Sequence, residues 1–466
     1  MRKAHSIQNG SAVLEVVALL VMFVATSTPA FAVPSYARQT GYPCSQCHTT
    51  PPELTQEGRD FKLNGYTLRP ESTHSITRPA TDKSAGLNLL ESLPLSAWFQ
   101  TSYTATHVAQ PAAQNGTIEF PQTLSLFLSG AWATDVGSFL QVTYSAADNH
   151  FRIDNTDIRY ARQAMLFNKD LHYGVTLNNN PTVEDLWNST PAWGFPFFST
   201  DVAPTPIAAP VVAGPLAQDV VGIGVYGLWM NRWYGAVTLY RTDHIGSATP
   251  VTGTGANFNI LGAAPYWRVA WQHPSKNNYL AVGAYGMHVA SSPGGVNEPT
   301  DAYTDVAADV QYDRTVPGVA SDFFCEKPPC TDVFSLRGTY IHETSTLDAT
   351  FGAGGASQLG HHLHTFQANG EYHWGDRLSA AAGWFSVSGT ADQLLYAQAP
   401  VTGSLNGSPN SHGYILNATW WPSMNINVMA QYTGYLKFNG AGSNYDGAGR
   451  NASGNNSIYL SASFVF

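Results

Sequence analysis

Thr365-Phe366-Gln367-Ala368-Asn369-Gly370-Glu371-Tyr372-His373-Trp374 is the stretch whose reading decides the fold. Its odd positions carry Thr, Gln, Asn, Glu and His; its even positions carry Phe, Ala, Gly, Tyr and Trp. Strict period-two alternation puts every polar side chain on one face of a strand and every apolar one on the other. The polar face predicts a water-lined lumen. The apolar face, ending on Tyr372 and Trp374, predicts contact with lipid and an aromatic girdle at its edge. A three-residue turn, Gly375-Asp376-Arg377, leads straight into the next alternating segment.

Outward from this stretch, about sixteen such segments recur. They centre on 95–106, 121–133, 138–146, 154–162, 171–178, 221–230, 233–241, 265–273, 279–289, 303–314, 332–345, 362–374, 378–388, 412–421, 425–437 and 457–466. In the tenth, Asp305, Asp309, Gln311 and Asp313 alternate with Val306, Ala308, Val310 and Tyr312. The last puts Ile458, Leu460, Ala462, Phe464 and Phe466 on one face, and its terminal aromatic resembles the assembly signal of outer-membrane proteins.

The connections sort by parity. Those after even-numbered segments are mostly short: Asp135-Val136-Gly137, Asn231-Arg232, Pro274–Asn277, Gly375-Asp376-Arg377 and Pro422-Ser423-Met424. Those after odd-numbered segments are mostly long: 179–220, 242–264, 347–361, 389–411 and 438–456. Short periplasmic turns alternating with long outer loops are a property of membrane barrels. A soluble β-sandwich or propeller gives no reason for that parity. The reading is therefore all-β: an antiparallel transmembrane barrel of about sixteen strands over residues 93–466. One connection, 315–331, is long where a short turn is expected. It contains Cys325-Glu-Lys-Pro-Pro-Cys330, a pair expected to close a small-loop disulfide in an oxidising compartment.

Composition agrees. The chain has 42 Gly, 23 Tyr, 22 Phe and 12 Trp with only 12% charged residues, the mix an aromatic-girdled barrel needs. A net charge of −10 argues against a nucleic-acid partner and suits a cationic one. Residues 1–32 read as a signal peptide: Arg2 and Lys3, the apolar Val16–Ala25, then Ala30-Phe31-Ala32 for cleavage. That run is too short to span a bilayer as a helix.

Between the signal and the barrel, residues 33–92 carry Cys44-Ser45-Gln46-Cys47-His48. A bare Cys-x-x-Cys also suits thiol exchange or half a zinc site, but no βαβ pattern or second cysteine pair accompanies it. His48 at the next position, on an exported chain, favours one covalent c-type haem: thioethers from Cys44 and Cys47, and His48 as proximal iron ligand. The distal ligand stays open. His74 is a candidate, as is a solvated role for it. Met429, in phase with Asn427 and Gln431, is a lumen-facing alternative, because no Met lies between residues 33 and 164, and an open or water-filled position is another. No residue is singled out as catalytic.

At these residues the chain resembles the fused monohaem cytochrome c–porin family, best known as outer-membrane iron(II) oxidases. One matching stretch runs from Tyr36 through Cys44-Ser-Gln-Cys47-His48, Pro52-Glu-Leu-Thr55 and Gly58-Arg59 to Phe61-Lys-Leu-Asn-Gly-Tyr-Thr67. The other runs from Asn178-Asn-Asn-Pro-Thr182 through Asp185-Leu-Trp187 to Pro191-Ala-Trp-Gly-Phe195. Cys325 and Cys330 have no counterpart in that pattern.

The resemblance implies a haem segment plugging a barrel in the outer membrane, short turns in the periplasm and long loops outside. It also implies electron transfer from extracellular ferrous iron, or another external donor, to a soluble periplasmic cytochrome. Two other readings are a general electron conduit with a non-iron donor and a solute porin with a structural haem plug. The loop 179–220, rich in aromatics at Trp187, Trp193, Phe195, Phe197 and Phe198, is expected to fold inward over the haem segment. Glu184 and Asp185 could then offer oxygen ligands to a passing ferrous ion, or simply hydrogen-bond the loop.

Overall fold

The computed structural model describes residues 35–40, 42, 44–49, 52–67, 77–78, 89–90, 94–111, 114–133, 135–147, 149–188, 199–243, 259–293, 299–316, 325 and 331–466. The signal region, His74 and Cys330 lie outside these residues, as do Trp193, Phe195, Phe197 and Phe198.

Sixteen antiparallel strands form one closed barrel in which neighbours in sequence are neighbours in space. They are β1 Leu95–Thr106, β2 Thr117–Leu128 (continuing after Ser129 as Gly130–Ala133), β3 Val136–Ser145, β4 His150–Leu166, β5 Lys169–Asn178, β6 Val220–Trp229, β7 Trp233–Thr242 and β8 Ala264–Pro274. The second half comprises β9 Asn278–Ser291, β10 Asp301–Val316, β11 Asp332–Thr346, β12 Gly360–Trp374, β13 Leu378–Gly389, β14 Ser411–Ser423, β15 Ile426–Lys437 and β16 Ser457–Val465. Every segment expected from the alternation is a strand. The largest boundary shifts are at β2, which starts at Thr117, and β4, which extends at both ends.

Closure is made by β16 against β1, from Ser457↔Thr106 to Val465↔Trp98. Phe466 completes the seam, accepting from Ala97 N at 2.7 Å and donating to Ala97 O at 3.0 Å. Closing the sheet removes both edges, so no row of ladder groups is left unpaired. Among the described residues no helix is long and apolar enough to cross a membrane.

The two faces separate as the alternation demands. On β12, His361, Leu363, Thr365, Glu371 and His373 are buried inward while Phe366 is exposed outward. On β10, Asp301, Asp305, Asp309 and Gln311 are buried, whereas Val306 and Val310 are exposed. Ile223, Val225, Val237 and Val269 continue the outward apolar band. Polar inside and apolar outside is the inverse of a soluble fold and the arrangement lipid requires.

Connections keep their parity: two- or three-residue turns join β2 to β3, β4 to β5, β6 to β7, β8 to β9, β12 to β13 and β14 to β15. The exceptions are the link 146–149, which is short on the long-loop side, and the link 317–331. In the latter only Cys325 and Thr331 are described; Cys325 is buried and disulfide-bonded.

Asp392 ties two long loops together. Its carboxylate accepts from Ser357 N (2.8 Å), Gln358 N (3.3 Å), Leu394 N (2.9 Å) and Leu395 N (3.0 Å), and lies 3.0 Å from His361 Nε2. Burial opposes its ionisation. The amides of Leu395, Ser357 and Leu394 outweigh that and hold the carboxyl well below the usual range. A depressed folded-state value means that the clamp contributes in full above the unfolded value of roughly 4, and is lost only as pH falls through the much lower folded value. Hydrogen exchange at residues 353–361 and 390–396 should therefore stay protected from pH 7 down to about pH 3. Asp392→Ala should lose at least about tenfold in protection across that window, equivalent to roughly 1.4 kcal/mol. Wild-type protection that vanished between pH 5 and pH 4 would place the carboxyl at an ordinary value instead.

Candidate functional site

Cys44–Cys47 forms a single helical turn, α2, which brings the two cysteine positions to the same side of the chain just before His48. The segment folds back at once: Thr55 N donates to Cys47 O (3.0 Å) and His48 bridges Leu54. Thr55 then caps helix α3, Gln56–Leu63, its hydroxyl accepting from Gly58 N. Gly58 is required here, since a Cβ would sit 2.2 Å from the Cys47 carbonyl oxygen.

His48 Nδ1 lies 3.1 Å from the Glu53 carbonyl. A carbonyl only accepts, so Nδ1 carries the proton and Nε2 presents a lone pair. Burial lowers the His48 pKa to about 4, against the opposing pull of that carbonyl, which keeps the ring neutral and able to ligate.

Among the described residues, contacts from residues 35–67 reach lumen-facing positions of the barrel and backbone near its short turns. In α1, Ser35–Thr40, Ser35 Oγ donates to Ser129 O, and Gln39 pairs with Ser129 O and Ala131 N. Tyr36 donates to Ser138 O (2.6 Å) and Tyr66 to Asp157 (2.6 Å). Leu63 O accepts from Tyr226 (2.9 Å). Glu53 pairs with Arg337 (2.7 Å) and accepts from Asn369 (3.2 Å). The Arg59 guanidinium stacks 3.8 Å over Tyr279 and lies 3.6 Å from Asp313. Close approach again selects glycine: a Cβ on Gly137 of β3 would meet Gly65 O at 2.2 Å.

Lys62 reaches the loop after β5, donating to Asp185 O (2.6 Å) and Asn188 Oδ1 (2.8 Å), and Asn188 returns a bond to Pro52 O (2.8 Å). Burial, with Arg159 adding to it, lowers Lys62 to about 7. Asp157, Asp185 and Glu184 pull the other way and favour its ammonium form.

That loop folds inward, as its length and aromatics led one to expect. It opens with α4, Pro181–Glu184, capped by Asn180. Trp187 is buried and donates to Tyr279 (2.7 Å). Farther on, Val211 N donates to Glu343 and Val212 N to Asp305, both at 2.7 Å. Ser199 O accepts from Gln122, Thr200 bonds Thr104, and Pro204 O accepts from Tyr435. The described loop therefore touches walls from β1 and β2 to β15.

Glu184 and Asp185 anchor this loop. Glu184 accepts from Thr238 (2.6 Å) and Tyr240 (2.8 Å), and Asp185 accepts from Trp187 N and pairs with Arg268 (3.2 Å). Of the two roles considered from sequence, the loop-bonding one is what the geometry shows. Arg268 also grips Asp309 of β10 at 2.8 Å and stacks near Trp187 and Tyr285.

Met429 is buried in the lumen-facing phase with Asn427 and Gln431. Among the described residues no group of three or more His, Cys, Asp or Glu is arranged to hold a metal ion. Sequence reasoning quoted Glu53 and Arg59 only within the matching stretch, with no role, and passed over Arg159, Arg268 and Arg337. Charged residues in the inward phase of a strand were a usable signal for the last three.

No protein-family model matches the chain, and a search of curated proteins found no match. Among solved structures it is similar to OmpF of Salmonella typhi in complex with daunomycin (11% identity, 80% of this chain and 97% of that one, TM-score 0.45). It is also similar to the outer-membrane channel DcaP of Acinetobacter baumannii (13%, 80% and 96%, TM-score 0.42). A third is OmpT of Vibrio cholerae (9%, 80% and 96%, TM-score 0.41). Likeness at this level speaks to neither ligand nor activity.

Proposed function

We propose that this protein is an outer-membrane cytochrome–porin that accepts electrons from extracellular ferrous iron on a covalent haem c and delivers them to a soluble periplasmic carrier. The observation that carries the reading is the position of Cys-x-x-Cys-His. It lies in a segment whose flanking residues hydrogen-bond to the lumen face of the barrel. An outward apolar band supports the membrane location, and the resemblance at residues 36–67 and 178–195 supports the family and the donor.

The residues present fit a c-type haem. Cys44 and Cys47 would hold it by thioethers, and His48 offers an oriented, neutral Nε2. Two buried guanidinium groups, Arg59 and Arg337, each have Nε and Nη2 without a hydrogen-bond partner, which are donors suited to haem propionates. The bound group supplies a one-electron iron couple. The chain supplies the rest: Glu53 O fixes the imidazole, Tyr36, Phe61 and Tyr66 form one aromatic cluster in the same segment, and the inward loop bonds to that segment through Lys62. Ferrous iron, as substrate, leaves as ferric iron after giving up one electron.

An open solute pore is the less favoured alternative. A diffusion channel keeps its lumen charges wet, whereas Arg159 and Arg268 are 0% and 1% exposed. Mixing oxidised, purified protein anaerobically with Fe²⁺ should reduce the haem within the mixing experiment, and His48→Ala should fail to cycle. If Fe²⁺ left the oxidised spectrum unchanged while another donor reduced it, the conduit would stand and the iron assignment would fall.

A further inference from the structure

The outward face changes character along β9 to β12. Toward the short turns it presents Leu280, Val282, Val310 and Leu336, and toward the long loops His288, Thr304, His342, Thr344, His362 and His364; Val306 opposite His342 and Phe366 opposite Tyr340 mark the transition. These strands run 14, 16, 15 and 15 residues, whereas spanning lipid takes about 9–11. Their ends toward the long loops therefore stand at or above the membrane surface.

Register brings the histidines together there. His342 lies opposite His364 and Thr344 opposite His362. The two Nδ1 atoms of His342 and His364 are 3.2 Å apart, and the Tyr340 hydroxyl is 2.7 Å from the same His364 Nδ1. The His342 ring stacks on both neighbours, at 4.5 Å from His364 and 5.7 Å from His362. Three nitrogen and oxygen lone-pair atoms converge here, with His364 Nδ1 in reach of both others. A cation would satisfy all three donor atoms at once. With metal–nitrogen bonds of about 2.0–2.1 Å, two tetrahedral imidazole ligands sit about 3.3 Å apart, close to the separation seen.

We propose that His342 Nδ1, His364 Nδ1 and Tyr340 Oη form a binding site for a borderline divalent transition metal on the outer rim of the barrel, with His362 beside it. Imidazole suits Zn²⁺, Cu²⁺ and Fe²⁺, and the phenol supplies a third donor outside the His, Cys, Asp and Glu set. The site faces away from the lumen and does not depend on the haem reading.

The test is calorimetric titration of untagged, haem-loaded full-length protein in detergent with Zn²⁺. One rim site is expected, weakened at least about a hundredfold in His342→Ala/His364→Ala, weakened less in Tyr340→Phe, and unchanged in the outward-facing control His412→Ala. His342→Gln/His364→Gln, which keeps polar side chains on the rim, should lose binding to the same degree. Folding of each variant is read from heat-modifiable gel mobility. Absence of binding in the wild type, unchanged affinity in both double variants, or equal loss in the His412 control would overturn the proposal.

Discussion

Replacing Cys44 and Cys47 together by alanine should remove the haem from denatured protein entirely. A denaturing gel stained for haem peroxidase activity should show one band at the size of the mature chain for wild type and none for the variant. The effect is all-or-none because only a thioether survives denaturation. His48→Ala separates attachment from ligation: the stained band should persist while the visible spectrum of the native protein changes. A stained band in the double cysteine variant would mean that the motif serves other chemistry, and the electron-transfer reading would go with it.

Arg268→Met should make the barrel conduct. Arg268 bridges Asp185 on the inward loop and Asp309 on β10, and all three are at least nine-tenths buried. Taking away one partner of a buried ionic group costs roughly 3–5 kcal/mol. Here the strain falls on the loop's contact with the wall. The β-barrel ladders do not depend on it, so the loop is what yields. In planar bilayers the wild type should show little conductance, with a rise of at least about tenfold in the variant; 1.4 kcal/mol already shifts a closed–open balance tenfold. Adding Asp309→Asn should return part of the closure. A wild type that conducted like an open channel would favour the solute-porin alternative.

The barrel was legible because alternation is local. Each strand announces its two faces through its own residues, and the parity of turn lengths orders them. The start of β2 at Thr117 was hidden by Pro121, which argues against a central strand because it cannot donate to the ladder. The added length of β4 at Phe151-Arg152-Ile153 lies beyond a bulge: Leu140 pairs with Thr156 but Val142 with Ile153, so the outward phase is odd there and even at Tyr160. The cysteine–histidine motif was legible for the same local reason. Its supports were not: Tyr66 meets Asp157, Lys62 meets Asp185, and Glu53 meets Arg337, pairs separated by about a hundred residues or more. Inward-phase charges such as Asp157 and Arg159 could be seen in the sequence, but their partners could not. The inward course of the loop after β5 followed from length and aromatic content, while the role of Glu184 and Asp185 needed Thr238, Tyr240 and Arg268 in view.

The seam between β1 and β16 also fixes a chronology. The strand Ser457–Val465 zips onto Leu95–Thr106, which leave the amino-terminal segment at Pro94. On the reading proposed above, haem is loaded before this seam closes, because closure surrounds the segment that carries the two cysteines with a continuous wall.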